Sequence, residues 1–590
     1  MAGGQITFVR RILALARRPA RQTLGQLCYA LGTLFFASPL YSPTLVGRTP
    51  TRVRLSPADP WPGDAAHGRA ALAGEFTFAA RTLCASPPED LPPDSAPREA
   101  FRTVWLARDV GPAWRAELHG FSWLRDLRVA GGEAARHGAR ELVASWIDAN
   151  PRWDRLAWRA DVLANRLCAW LGHYEFLCAS ADADFHARFF NSLSRQARHL
   201  ARVVPGGLAG ARLLLGIKGL IYSGLCLPGG ERRLNRGLKL LERELARQVL
   251  GDGGHIERSP SLQLSVLRDL VDIRATLIAG QRDMPAALLP AIDRMAPMLR
   301  FFRHGDGGLA LLNDSNEEEA WLIDMVLTQA DAKGKPLASA PHSGFERLTN
   351  NRTLVIADVG APPPPGAEGH THAGTLSFEM SLGKERLIVN CGAGAGSNSA
   401  LRRRMRATAA HSTVTVEGTD STEIFADGGL GGVLGRRPAA VACRREEADG
   451  AIWIDASHDG YLEPFGVVHR RRLYLSPRGD DLRGEDTLAA PNGGTLARGK
   501  LTGRKFAIRF HLHPGVKASL VREGGAALLR LPSGRGWRLR ASGGELGLED
   551  SVYLGARGEV KRTEQIVISG EFGETGAQVK WAVSQVPETS

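Results

Sequence analysis

A chain of 590 residues is too long for one ordinary hydrophobic core, so two large domains plus extensions are expected. Hydrophobic residues at 43% and charged residues at 23% argue against a disordered chain, and seven scattered cysteines without a CxxC pair argue against a disulfide framework or a zinc ribbon. The 75 Lys and Arg against 62 Asp and Glu leave +13. A polyanionic partner and an arginine-rich coding bias explain this surplus about equally well.

In chain order, Arg10, Arg11, Arg17, Arg18 and Arg21 precede "LCYALGTLFFASPL", an apolar run short of the ~20 residues a spanning helix needs. No A-x-A cleavage site follows it. Two readings stay open: a signal sequence, or an amphipathic helix packing on the body or resting on a membrane surface. Residues 1–80 therefore read as an N-terminal extension with a basic, apolar helix. Residues 81–335 read as helical. Segments such as "DVLANRLCAWLGHYEFLC", "ARLLLGIKGLIYSGLCL" and "LQLSVLRDLVDIRATLIAG" carry apolar residues at three- and four-residue spacing between short Gly, Pro or Asp/Asn breaks. Successive helices of this length favour an all-α array. Seven of the twelve tryptophans lie between Trp105 and Trp170, where they either pack the core or line a sugar-binding groove.

"DAKGKPLASAPHSG" (331–344) is a linker by composition, and residues 345–590 change texture. Short alternating runs ("LSFEMSL", "RLIVNCG", "STVTVEG", "AIWIDAS", "KFAIRFHLH") recur with turn signals about every ten residues, the pattern of an antiparallel β-sandwich. In "GAEGHTHAGTLSFEMSLGKERLIVNCG" (366–392) the alternation predicts a half-buried strand, with Gly383-Lys384 as a two-residue hairpin turn. If that strand reaches back to His370 and His372, both imidazoles share one face of the sheet.

Several polar clusters stand out. "GDGGHIERSPS" (251–261) gathers Asp252, His255, Glu257 and Arg258 in one glycine-rich loop that is not a P-loop; it reads equally as the wall of a site or as scaffold. "HGDGGLALLNDSNEEEAW" (304–321) carries Asn313 and Asp314, with Asp314 or Ser315 as the expected N-cap of the following helix. "RRRMRATAAHSTVTVEG" (402–418) offers Arg402 and Arg406 as carboxylate clamps beside His411. "HDGYLEPFGVVHRRRLY" (458–474) brings His458, Asp459 and Tyr461 to one turn.

Taken in order, "DGGHIERSPS", "HTHAGTLSFEMSLGKERLIVNCG", "RATAAHSTVTVEG" and "HRRRLYLS" resemble the heparinase II/III-like family of polysaccharide lyases, over about Trp114 to Trp581. The resemblance implies an α+β two-domain fold: an N-terminal incomplete (α/α) toroid followed by a C-terminal antiparallel β-sandwich. It also implies β-elimination on an acidic, uronate-containing oligo- or polysaccharide, and a place in the cell envelope or periplasm, with the cytoplasm left open by the lack of a clear cleavable signal peptide. Nucleic acid is not an expected partner, and no oligomeric state is specified. In the family's pattern His370 is the catalytic histidine. His372 and His411 belong to a cluster that is structural or holds a divalent metal, zinc or calcium, with Asn390 standing where an aspartate is usual. Gly374 replaces another common aspartate. Ala211-Arg212 stands in place of an Asn-His pair, and Leu262-Gln263 in place of a catalytic tyrosine.

Uronate elimination needs a group that neutralises the carboxylate, a base for the C5 proton, and an acid for the leaving O4 oxygen. The expected catalytic set is His370, with Tyr461 as replacement base or acid, Arg212 as carboxylate partner, and Glu257. Asp252, His255, Arg258, Asn313, Asp314, Arg402, Arg406, His458 and Asp459 are expected to bind substrate; His372, Asn390 and His411 form the metal candidate. Two alternatives remain: a glycoside hydrolase using two of Asp252, Glu257, Asp314 and Asp459, and a non-catalytic glycan-binding or envelope protein.

Overall fold

The computed structural model describes residues 17–18, 20–78, 80–85, 96–394, 399–425, 432–491, 501–521, 525–556 and 559–587. Arg10 and Arg11 lie outside them. The chain forms two compact units. One comprises Arg18–Gln248 and Ser265–Ile292; the other comprises Met1–Arg17, Val249–Leu264 and Asp293–Ser590.

The first unit is helical apart from an antiparallel hairpin, Glu75–Phe78 with Arg81–Cys84, whose second strand falls within the stretch expected to be helical. Helix Ala183–Val203 starts where the Asp182 carboxylate accepts the Phe185 N–H, then buries Phe185, Phe189, Leu193 and Leu200 on one stripe. Helix Gly210–Cys226 packs against Ala160–Gly172 on one side and Glu231–Gln248 on the other. Gly219 permits the first contact, since a Cβ there would stand 2.7 Å from that of Ala164. Six of the seven tryptophans are buried, Trp153 being half-buried, and Phe121 sits among Trp105, Trp123, Trp146 and Trp170, with ring centroids 4.9–6.0 Å away.

Most of the expected extension belongs to this unit. Tyr41 Oη bonds His199 Nδ1 at 2.6 Å, and Trp61 Nε1 donates to Asp272 Oδ1 at 2.9 Å. Helix Ala20–Ala37 packs Phe36 on Tyr41 and His199. Its other face leaves Leu24, Leu27, Leu31, Leu34 and Phe35 exposed, Leu34 by 75%.

The second unit is the β-sandwich. One sheet runs, in spatial order, Lys517–Leu520, Ala526–Arg530, Gly536–Ser542, Ala577–Gln585, Asp481–Ala489, Val468–Leu475, Ala451–His458 and Val441–Ala448, with antiparallel neighbours throughout. The other runs from Glu545–Tyr553 through Lys561–Glu571, Lys505–Leu512, Glu385–Val389, Phe378–Leu382, Thr353–Asp358 and Phe345–Asn350 to Ser339–Ala340. Leu473, Phe510 and a stack of Phe378 on Trp581 (5.6 Å) fill the core. The strand Val441–Ala448, at a sheet edge, is mostly exposed and carries Arg444, Arg445, Glu446 and Glu447, charges that discourage pairing with a second chain.

Three expectations change. Residues 249–264 and 293–335 join the sandwich unit, drawn there by bonds with no periodic signature: Asp252 Oδ2 accepts the Ser343 N–H, and Arg258 donates to Ser343 O and Asp358. The hairpin turn at Gly383-Lys384 forms, with Gly383 at φ +62°, but the strand before it starts only at Phe378, so His370 and His372 lie in a loop. That strand is buried at all five positions, because Ser381 and Glu379 face the loop after Phe301.

Tyr461 is fully buried in the sandwich core, and its hydroxyl donates to Val414 O at 2.6 Å. Burial, with the Asp420 charge, pushes the phenol far above its ordinary value, so the residue is structural, not an exchangeable base. Tyr461→Phe is expected to cost about 1–3 kcal/mol of stability by stranding a buried carbonyl while leaving activity unchanged. A thermal melt beside a turnover assay checks both.

Candidate active site

The sandwich unit brings Glu257, Asn313, Asp314, His370, His372, His411 and Arg402 together. Asn313 and Asp314 sit at φ +47° and +56°, and Arg258 at +56°; left-handed backbone at bulky residues persists only where surroundings over-determine it. Those surroundings are specific. Leu311 N–H donates to Glu379 Oε1, Ser315 Oγ bonds Ser259 Oγ, and Asn316 N–H donates to Ser261 Oγ. Asn313 bridges two segments, accepting the His372 N–H and donating to Arg258 O, each at 3.1 Å. Asp314 is therefore no N-cap: helix Ala320–Ala330 begins after Glu319 without a side-chain cap.

Asp314 Oδ2 lies 2.9 Å from His370 Nδ1 and 3.3 Å from an Arg402 nitrogen. Burial works against its charge, but His370, His372 and Arg402 outweigh it and hold the carboxyl well below the usual range. An ionised Asp314 accepts Nδ1–H, leaving His370 Nε2 with the lone pair. That nitrogen is 3.9 Å from Glu257 Oε2, and the His370 side chain is 23% exposed. An oriented imidazole between two carboxylates can take up and release a proton.

Behind it, His411 Nδ1 lies 2.8 Å from Ala407 O, which only accepts, so the proton is on Nδ1. His411 Nε2 then accepts from His372 Nδ1 at 3.1 Å. Both His411 nitrogens are thereby engaged. Asn390 is engaged too, accepting the Ser412 N–H and donating to Glu379. What remains is His372 Nε2 and Asp314 Oδ1, both buried without a hydrogen-bond partner and 3.8 Å apart. Two donors do not make the tetrahedral zinc or six-to-eight-oxygen calcium cage, and among the described residues no group of three or more His, Cys, Asp or Glu is placed to hold a metal. The residues present do not fit the metal. A side chain at Gly374 would not fit either, since its Cβ would stand 2.8 Å from the His411 ring.

The other candidates are placed as follows. Arg406 is buried and donates to Thr371 O, fixing the loop that carries His370. Asp252 caps Gly254 and binds Ser343, while Arg258 is clamped on Asp358 and Ser343, so both tie the glycine-rich loop to the sandwich. His255 is buried, its Nδ1 accepting the Glu257 N–H. His458 bonds His469 in a buried chain that ends on Asp486, and Asp459 accepts the Ala439 N–H; no hydrogen bond or ion pair ties either to His370 among the described residues. Arg212, in the helical unit, is half exposed with Nε 3.7 Å from Asp161. Glu379, which the alternation put at a solvent-facing position, is buried and holds the loop at Leu311 and His304. Its signal was an isolated acid among the strand's polar positions.

The family description "Heparinase II/III N-terminus" matches residues 103–332, and "Heparinase II/III-like, C-terminal" matches 332–582. FtsZ-localized protein C of Caulobacter vibrioides is 32% identical, over 91% of both chains. A heparin-sulfate lyase of Bacteroides stercoris is 22% identical over 54% of this chain and 56% of its own. A crystal structure of heparinase III superposes with a TM-score of 0.71 at 14% identity, covering 95% of this chain and 91% of that one. With both family regions matched in order and a 32% identical relative spanning nearly its full length, the chain belongs to the heparinase II/III-like family and has its polysaccharide lyase scaffold.

Proposed function

We propose that the protein is a polysaccharide lyase acting on an acidic, uronate-containing glycan by β-elimination, with His370 as its proton-transfer group. The observation that carries this is the Asp314–His370 pair, 2.9 Å apart, whose free Nε2 is only partly buried. His370 Nε2 takes the C5 proton, the C4–O4 bond breaks as the C4–C5 double bond forms, and the imidazolium returns the proton to O4. Asp314 and Glu257 stabilise the imidazolium while it exists. Hydrolysis is the weaker reading: of its four candidate acids, Asp252 and Asp459 are bound to backbone N–H groups elsewhere, and Glu257 and Asp314 flank one imidazole. Incubation with heparan sulfate, chondroitin sulfate and alginate tests this. Elimination raises ultraviolet absorbance together with reducing ends, whereas reducing ends alone would mean hydrolysis.

A second, non-catalytic reading is favoured by a specific observation. No described tyrosine of the sandwich unit serves the site: Tyr461 is core, Tyr553 bonds Glu317, and Tyr474 lies on the far sheet. With a relative named as FtsZ-localized, a chain that has kept the scaffold as a division-associated binding protein is the alternative, and glycan binding without either product decides for it.

We also propose contact with the membrane surface of the cell envelope. No helix described is long and apolar enough to cross a membrane, but Leu24, Leu27, Leu31 and Leu34 form an exposed stripe at helical spacing, and the sequence carries Arg17 and Arg21 just ahead of it. Vesicles of phosphatidylglycerol and phosphatidylcholine should sediment the protein, and Leu31→Asp with Leu34→Asp should weaken this at least tenfold. Unchanged sedimentation removes the helix from the proposal.

A further inference from the structure

Inside the helical unit stands a positive charge with no counter-ion. Arg166, on helix Ala160–Gly172, is fully buried. Its Nε donates to Gln196 Oε1 at 2.8 Å, its Nη1 donates to His119 O at 2.7 Å, and the guanidinium lies 4.0 Å over the Trp146 ring. Both of those oxygens are neutral. The acid whose charge reaches Arg166 is Asp154, and its carboxylate accepts the Leu156 and Ala157 N–H groups instead. Burial pushes the guanidinium pKa down, but arginine keeps its proton inside proteins, and a buried charge without a partner is strongly unfavourable. Three N–H donors at the same place lack acceptors. Arg166 Nη2 has none. Trp146 Nε1 donates to His119 Nδ1 at 3.0 Å, which puts the His119 proton on Nε2, and Nε2 has no partner. Burial and the Arg166 charge hold that imidazole neutral, with its pKa at about 3. Trp170, one helical turn beyond Arg166 and edge-on to Trp146 at 5.6 Å, has an unpartnered Nε1–H. His119 and Trp170 are as deeply buried as Arg166.

We infer that Arg166, His119 and Trp170 hold a small monovalent anion, a halide such as chloride, in the aromatic core of the helical unit. What is missing there is an acceptor. Among the described residues of this unit no buried side-chain oxygen lacks a partner, so a water placed against the three donors would find no free side-chain oxygen for its own hydrogens. A halide accepts from every side and donates nothing. Its single charge matches the single uncompensated cation, whereas a phosphate or sulfate would bring a second charge and a larger desolvation cost. The rings suit an anion as well: Phe121, Trp146 and Trp170 meet edge to face at 86–90°, and ring edges are the positive part of the aromatic quadrupole. The bound ion would tie helix Pro112–Gly120, through His119, to helix Ala160–Gly172. The site shares no residue with the His370 site, and the stability of the helical unit becomes halide-dependent.

The test uses the full-length protein, dialysed into sodium gluconate and titrated with sodium chloride or bromide at constant ionic strength while its thermal melting is followed. Each tenfold rise in halide above its dissociation constant should raise the melting temperature of the helical unit by about 3–6 °C. Arg166→Met removes the charge that needs an anion and should lose this response; it also measures the general salt effect to be subtracted. Trp170→Phe keeps a ring but removes one donor, and should weaken halide affinity at least tenfold. His370→Ala should leave it unchanged. Crystals of the wild-type protein grown in bromide should show an anomalous peak at hydrogen-bond distance from Arg166 Nη2. Melting that does not distinguish chloride from gluconate, a halide response that persists in folded Arg166→Met, or unchanged affinity in Trp170→Phe overturns the inference. So does a bromide crystal with only water at Nη2, and that map decides the matter if Arg166→Met fails to fold.

Discussion

His370→Ala is expected to lower uronate turnover by about 10²–10⁴-fold, the usual contribution of a positioned acid–base group, with a stability loss of only about 1 kcal/mol. Stability is spared because the ring is partly exposed and Asp314 keeps Arg402 as a partner. The paired readouts are the rate of ultraviolet absorbance increase and a thermal melt; undiminished turnover in a folded variant removes His370 from the mechanism. Asp314→Asn separates orientation from charge. It keeps the shape but loses the anion that holds Nδ1–H and steadies the imidazolium, so turnover should fall while substrate KM changes little. The same carboxylate has a pH signature. Its folded pKa lies well below the ~3.9 of an unfolded aspartate, so its stabilisation is fully present above about pH 4 and lost as pH falls through the lower folded value. The stability gap between wild type and Asp314→Asn should therefore narrow on acidification below pH 4.

Glu379→Ala should be the most destabilising single change near the site, costing about 3–5 kcal/mol. Glu379 is fully buried. It accepts from the backbone N–H groups of Leu311 (3.1 Å) and Asn390 (2.9 Å), faces His304 Nε2 at 3.0 Å and lies 3.9 Å from Arg386. Truncation strands two buried donors and weakens the balance around a buried guanidinium. It also releases the loop that holds Asn313 and Asp314 in left-handed backbone, so turnover should fall with stability. Glu379→Gln, which keeps an acceptor oxygen, should recover part of both. Denaturant unfolding measures the loss, and a change under about 1 kcal/mol would show that the loop is ordered by other contacts.

The two-part architecture was legible because periodicity is local. Apolar spacing of three and four through residues 101–329, and alternation after 345, record which faces are buried without reference to partners. The Gly383-Lys384 turn was legible for the same reason. Where this local logic failed, a distant segment had changed the environment. Glu379 and Ser381 alternate like solvent-facing residues, yet His304 and the loop after it cover them. Tyr461, in a turn rich in polar residues, points into the sandwich core and donates its hydroxyl to Val414 O.

The candidate site shows the same division. Sequence by itself determined the residue types: His370 and His372 two apart, Asp314 in a polar loop, Glu257 beside glycines, and Asn390 in place of an aspartate. Tertiary structure alone decided which of them meet. Asp314 lies 56 positions from its partner His370, and Glu257 comes from a third segment. It also decided that Asn390 and His411 spend their polar atoms on Glu379, Ser412, Ala407 and His372 rather than on a metal. The physical reason is that a side chain's chemistry depends on which hydrogen-bond partners burial leaves to it, and those partners arrive from parts of the chain that no local pattern connects.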